Sequence, residues 1–206
     1  MVARLTEVDR ARIAAAVAAA EAATSAEIRL VLARWSSHYG AFALIYPALL
    51  ALIGGGLAAA IFPTIGAFRL FAGEALLFLA GVAALQWPVL RRALAPPGVK
   101  RKAAWRHARL HYASIGLRRP HTKSALLLFC SEAERTVEIL VDDEIAERLP
   151  GTVWDPIVAA FKADFAGGRL ADAFVKAAVS CAAILSPAFP PIPGQINELP
   201  DALVEL

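Results

Sequence analysis

The sequence predicts an α/β domain with a mixed sheet and helices on both faces, interrupted by a transmembrane helical hairpin. Three observations predict it. Helical and strand-like segments follow one another in the order α-β, gap, α-β-β-α-α, which is the pattern of a layered α/β domain. The gap holds two long apolar runs almost free of charge. Of the 206 residues, 58% are hydrophobic and 19% charged, against about 45–50% and 25% in an average soluble domain. That balance excludes a disordered chain, which is hydrophobe-poor and charge-rich.

The first segment, Thr6-Glu7-Val8-Asp9, carries a capping signal with Asp in place of the usual Glu, and opens a helix from Glu7 to Ala23 with Ile13 and Val17 on one face. Glu27 to Arg34 is β-branched and apolar with charge at its edges, which predicts a strand. No basic start leads into an apolar region here, so the opening does not resemble a secretory signal.

Ala41–Phe62 is 22 residues without a charge, and Leu70–Leu90 carries only Glu74. About 20 apolar residues cross the hydrocarbon core, and lipid admits only helices or closed barrels. The expected spans are therefore about 41–62 and 70–90, with Pro63–Arg69 as the turn. Glu74 has two readings: an ion or proton relay, or a carboxylate about one turn from the outer end that reaches the headgroups. Gly54-Gly55-Gly56 permits close helix approach, either to another membrane protein or between the two spans.

Arg91, Arg92, Lys100, Arg101, Lys102, Arg106 and Arg109 follow the second span, with no acid from Arg91 to Arg119, against one base, Arg69, in the turn. The positive-inside rule places both flanks, and both termini, in the cytoplasm and the turn outside. Trp35, Tyr39 and Trp87 form an aromatic belt on the same face. Lysines and arginines also neutralise nucleic-acid phosphates. A juxtamembrane position favours a membrane-surface basic patch instead, so the expected partners are the bilayer and a membrane protein, with no nucleic acid.

Pro96-Pro97-Gly98 breaks the chain, and Val99–Ile115 forms a basic helix with Trp105, Leu110, Tyr112 and Ile115 available for packing and Gly116 as its stop. Ser124–Cys130 and Thr136–Val141 form an antiparallel hairpin, the first strand apolar throughout and so central. Two helices follow: Val153–Phe161 onward, with Pro156 in the first turn and Gly167-Gly168 at the end, and Leu170–Leu185, with Phe174, Val175, Ala178 and Cys181 at helical spacing. The expected organisation is 1–37 and 96–189 as one domain, 38–95 as the membrane hairpin, and 190–206 as a Pro-rich surface tail.

ALLLFCSEAERTVEILVDDEIAERLPGTVWDPIV and AGGRLADAFVKAAVSCAAILSPAFPP, with the opening LTEVDRARIAAAVAAAEAATSAEIRLVLAR, resemble the bacterial TPM-domain proteins, also called the TPM phosphatase family. The resemblance covers roughly Leu5–Arg34 and Val99–Asp201. It implies a three-layer α/β/α domain. Some relatives are described as acid phosphatases or bind a divalent cation; others are accessory proteins of membrane complexes. Relatives often carry glycines where this chain has Val141-Asp142-Asp143-Glu144-Ile145, and an Asn-Gly where it has Thr122-Lys123-Ser124.

Asp142, Asp143 and Glu144 stand at the carboxyl end of a strand, the edge where α/β sheets place their sites. Consecutive carboxylates supply ligands for calcium or magnesium, or Asp143 caps the short helix through Arg148. Lys123 and Ser124 precede a strand and so belong to the opposite edge. His107 and His111 have zinc-type i,i+4 spacing without the metalloprotease glutamate, which favours a solvated or lipid-facing pair; His121 is a third histidine beyond them. Gly-rich phosphate loop and nucleophile elbow are both missing from the sequence. The expectation is a membrane-anchored accessory or scaffold module. The alternative is a divalent-metal-dependent phosphatase, a phosphomonoesterase using Asp142 and Asp143.

Overall fold

The computed structural model describes residues 5–37, 39–116, 124–193 and 201–206. The chain divides into two compact units, 1–36 with 101–206, and 37–100.

In the first unit, α1 (Glu7–Ala22) starts at the expected capping box. The Asp9 amide donates to Thr6 Oγ1 at 3.2 Å, and the Thr6 amide donates to Asp9 Oδ2 at 3.0 Å. Ile13, Val17 and Ala20 recur at helical spacing and are the residues it buries. The strands β1 (Glu27–Ala33), β2 (Ala125–Ser131), β3 (Thr136–Val141) and β4 (Val204–Glu205) lie in the sheet order β3-β2-β1-β4. β1 and β2 are parallel, from Glu27 opposite Ala125 to Ala33 opposite Ser131, whereas β2 and β3 are antiparallel. A parallel pair buried on both faces explains why β2 is apolar throughout.

Alternation along the strands divides the core. Ile28, Leu30, Leu32, Leu126, Leu128 and Cys130 point to one side. There they meet α1, α7 (Asp155–Ala166) and α8 (Leu170–Leu185), where Phe161 and Phe174 pack edge to face at 4.9 Å. Val31, Ala33, Leu127 and Phe129 point to the other side, against Ala108 and Tyr112 of α5 (Pro97–Gly116). The sheet is thus mixed and covered by helices on both faces. The two cysteines are free and buried.

The tail is not wholly a surface loop. Val204–Glu205 forms β4, parallel to β1, and the Leu206 amide donates to the Leu32 carbonyl at 2.9 Å. Arg10 holds this end through a 2.7 Å contact with Glu205. A two-residue strand has no periodicity to read, and its pairing is set by β1 alone.

In the second unit, α2 (Phe42–Ile61) and α3 (Ala67–Ala84) are long and apolar enough to cross a membrane. Only 17% and 0% of their most apolar windows are buried, unlike a core helix, which is mostly buried. The second helix is displaced from its expected range of 70–90. It starts at Ala67 and stops at Ala84, and a separate helix α4 (Pro88–Leu94) follows. Pro88 lacks an amide hydrogen and suits a first helical turn, so it begins a new helix better than it continues an old one.

The Glu74 expectation also changes. With α3 starting at Ala67, Glu74 is about 10 Å, or two turns, along the helix. Its side chain fills the space beside Gly55 of α2. Gly54 faces Leu77, and Gly81 faces Pro47, whereas Gly56 meets nothing within 4 Å. The glycine triplet is therefore used largely in packing the hairpin on itself. Trp35 and Trp87 are exposed while Tyr39 is buried, so two of the three belt residues face outward. Gly116 is the last described residue of α5. The stop expected there, the packing of Ile115, and the positions of Thr122, Lys123 and His121 lie outside the described residues.

Candidate functional site

The carboxyl end of β3 is not the carboxyl edge of the sheet. Because β3 runs antiparallel to β2, Asp142 lies beside the amino ends of β2 and β1, and Ser124 shares that edge instead of the opposite one. Ser124 Oγ donates to Glu144 Oε2 at 2.6 Å. The Ala125 amide donates to Asp142 Oδ2 at 2.8 Å, and the Ile145 amide donates to Asp142 Oδ1 at 2.8 Å. Asp142, not Asp143, is the N-cap of α6 (Asp143–Arg148). Both of its oxygens are occupied by backbone donors, one from the helix and one from the sheet. Asp143 is exposed on the first turn. Among the described residues, no group of three or more His, Cys, Asp or Glu is arranged to hold a metal ion.

The same edge holds a carboxyl pair that no local motif announces. Glu21, at the end of α1, accepts from the Ile28 amide at 2.8 Å. Its carboxyl is pushed up to about 7, first by burial and then by the hydrogen-bonded carboxyl of Asp201 and the charge of Glu27; the Ile28 amide opposes the shift. Carboxyls sharing a site resist simultaneous ionisation. The only sequence signal was an acid at each end of the short α1–β1 connection, and Asp201 is remote in the chain.

At the opposite edge, beyond the carboxyl ends of β1 and β2, Ser36 Oγ donates to Ser131 Oγ at 2.8 Å and the Ser36 amide donates to Glu134 Oε2 at 3.0 Å. Ser131 also donates to Glu134, which is buried. These bonds fasten the β2–β3 turn to the chain leaving β1.

His107 and His111 face the sheet rather than solvent or lipid. The His107 ring meets Phe129 edge-on at 5.3 Å. Burial holds His111 below the ordinary histidine range, reinforced by the charges of Arg29 and His107. A fixed cation beside the pair opposes binding of a metal cation. The basic residues divide between helices: Arg91 and Arg92 lie on α4, Lys100 on the first turn of α5, and Arg101, Lys102, Arg106 and Arg109 along one exposed side of α5.

The architecture has a solved counterpart. The chain is similar to the NMR structure of the BA42 protein from the psychrophilic bacterium Bizionia argentinensis, with a TM-score of 0.61 over 98% of this chain and 96% of that one. The fold is shared. Identity is 16%, so the likeness extends to the fold alone. No family model matches the chain, and no curated protein matches it.

Proposed function

We propose that this is a two-span bacterial inner-membrane protein whose TPM-like α/β domain, at the cytoplasmic face, serves as an accessory module of a larger membrane protein assembly. One observation carries the reading. β1 precedes the two candidate spans, β2 follows them, and the two strands pair in parallel along seven residues each. If the helices cross the bilayer, both flanks must stand on one side, and two crossings satisfy that condition. The excess of bases after the second helix supports the cytoplasmic side. The apolar side chains left outward on α2 and α3 supply the lipid-facing surface.

The test starts from membranes expressing the full chain. The protein should resist carbonate washing and, in mild detergent, migrate above the size of one chain with a co-purifying protein. Release by carbonate sinks the membrane anchor, and a lone monomer sinks the accessory role.

A further inference from the structure

Of the apolar residues available for packing on α5, Trp105 and Leu110 stay outward. The inner side of the helix, Ala104 and Ala108 with Tyr112 at the margin, covers the sheet. Trp105 is 44% exposed and Leu110 66%. They share the outward side with Arg101, Lys102, Arg106 and Arg109, positions that recur at helical spacing. The Arg109 guanidinium lies 4.8 Å from the centre of the Trp105 ring, an arrangement that keeps an aromatic and a cation together at one level. None of the four bases is in an ion pair among the described residues. The acid whose charge reaches Arg101 is the half-buried Glu138 of β3, which Lys162 also faces.

We propose that this outer side of α5 docks on an anionic lipid surface, the bases meeting headgroup phosphates while Trp105 and Leu110 enter the headgroup boundary. The inference rests on the membrane reading above. Charge complementarity commits it to lipid: exposed bases beside a Trp and a Leu, without a neighbouring exposed acid on the helix, match an interfacial helix. Chain continuity agrees, because only twelve residues, seven of them in α4, separate the end of α3 from the start of α5. An inward-packed side and an outward lipid-binding side give one helix two roles, covering the sheet and orienting the domain.

The native thiols are buried, so Leu110→Cys in the full chain takes an environment-sensitive fluorophore selectively. The labelled protein is reconstituted into phosphatidylcholine vesicles, with or without phosphatidylglycerol, and floated. Emission should shift to the blue and resist an aqueous quencher only with phosphatidylglycerol, and high salt should reverse both effects. Lys102→Gln and Arg109→Gln should each lower the docked-to-undocked ratio about fivefold, the equivalent of about 1 kcal/mol. A chain that floats with both vesicles while the label stays equally exposed overturns the docking surface and leaves the anchor standing. A chain that floats with neither overturns the anchor and this inference together. Flotation only with phosphatidylglycerol, lost in salt, supports docking and overturns the anchor. Protection by added RNA but not by phosphatidylglycerol overturns the lipid assignment.

Discussion

Glu74 occupies the place that a side chain on Gly55 would need: a Cβ there would collide with Glu74 Oε1 and stand 2.6 Å from its Cγ. The glycine and the acid are one packing unit across the hairpin. Gly55→Ala therefore forces the whole Glu74 side chain aside, and overpacking of this kind costs about 1–3 kcal/mol. Glu74→Ala in the same chain should restore most of the loss. Thermal melting in detergent of the two single variants and the double variant measures the coupling, and additive losses would show that the two residues do not compete for this space.

Gly81 makes the complementary contact. A Cβ there would stand 2.9 Å from Pro47 Cβ, and a proline ring cannot swing away as a glutamate can. Gly81→Ala should destabilise the hairpin more than Gly55→Ala does. Equal melting temperatures for the two variants would contradict this.

Asp142 joins the start of α6 to the start of β2. Asp142→Ala removes the cap and orphans two amides, for a loss of about 2–3 kcal/mol. Asp143→Asn, on the exposed first turn, should stay within about 0.5 kcal/mol. Denaturant unfolding of both variants gives the comparison, and an equal loss at the two positions would overturn the assignment of the cap.

The buried Glu21 carboxyl, with Asp201 and Glu27 near it, makes stability depend on pH. Glu21 has a folded value near 7, above its ordinary value, so the folded state holds the proton more tightly than the unfolded one. Its contribution is complete below about pH 4.5, is lost as pH rises, and is gone above about 7. Glu21→Gln keeps an acceptor for Ile28 and removes the charge. Its melting temperature should exceed that of the wild type at pH 8 and match it at pH 5. The reverse order would refute a raised value for Glu21.

Topology is open to thiol labelling because the native background is quiet. Cys130 and Cys181 are buried, and burial raises both thiols, Cys181 to about 12. In intact cells, Thr64→Cys in the turn should react with an impermeant maleimide. Ala146→Cys, exposed on α6, should react only after lysis. The opposite pattern would invert the membrane orientation.

Much of the fold was legible in local sequence. The Thr6–Asp9 box, the apolar, charge-edged run of β1, the continuous apolar run of β2 and the helical spacing of Phe174, Ala178 and Cys181 each report interactions within a few residues or burial on a given face, and such signals survive without knowledge of the rest of the chain. The site was less legible. Asp142 looked like a residue of the carboxyl edge because its own strand ends there, but an edge belongs to the sheet, and the antiparallel turn reversed it.

What the sequence by itself determined is therefore where most of the helices and strands form, but not the separate α4 or the two-residue β4, which two helices are apolar enough to cross a bilayer, and on which flank the bases collect, since length, period and charge are properties of contiguous residues. Only the tertiary structure decided that Ser124 and Asp142 share an edge, that Glu21 meets Asp201, that Glu74 lies on Gly55, and that α5 turns Trp105 and Leu110 outward. Those outcomes depend on strand direction and on contacts between residues far apart in the chain, which no local pattern encodes.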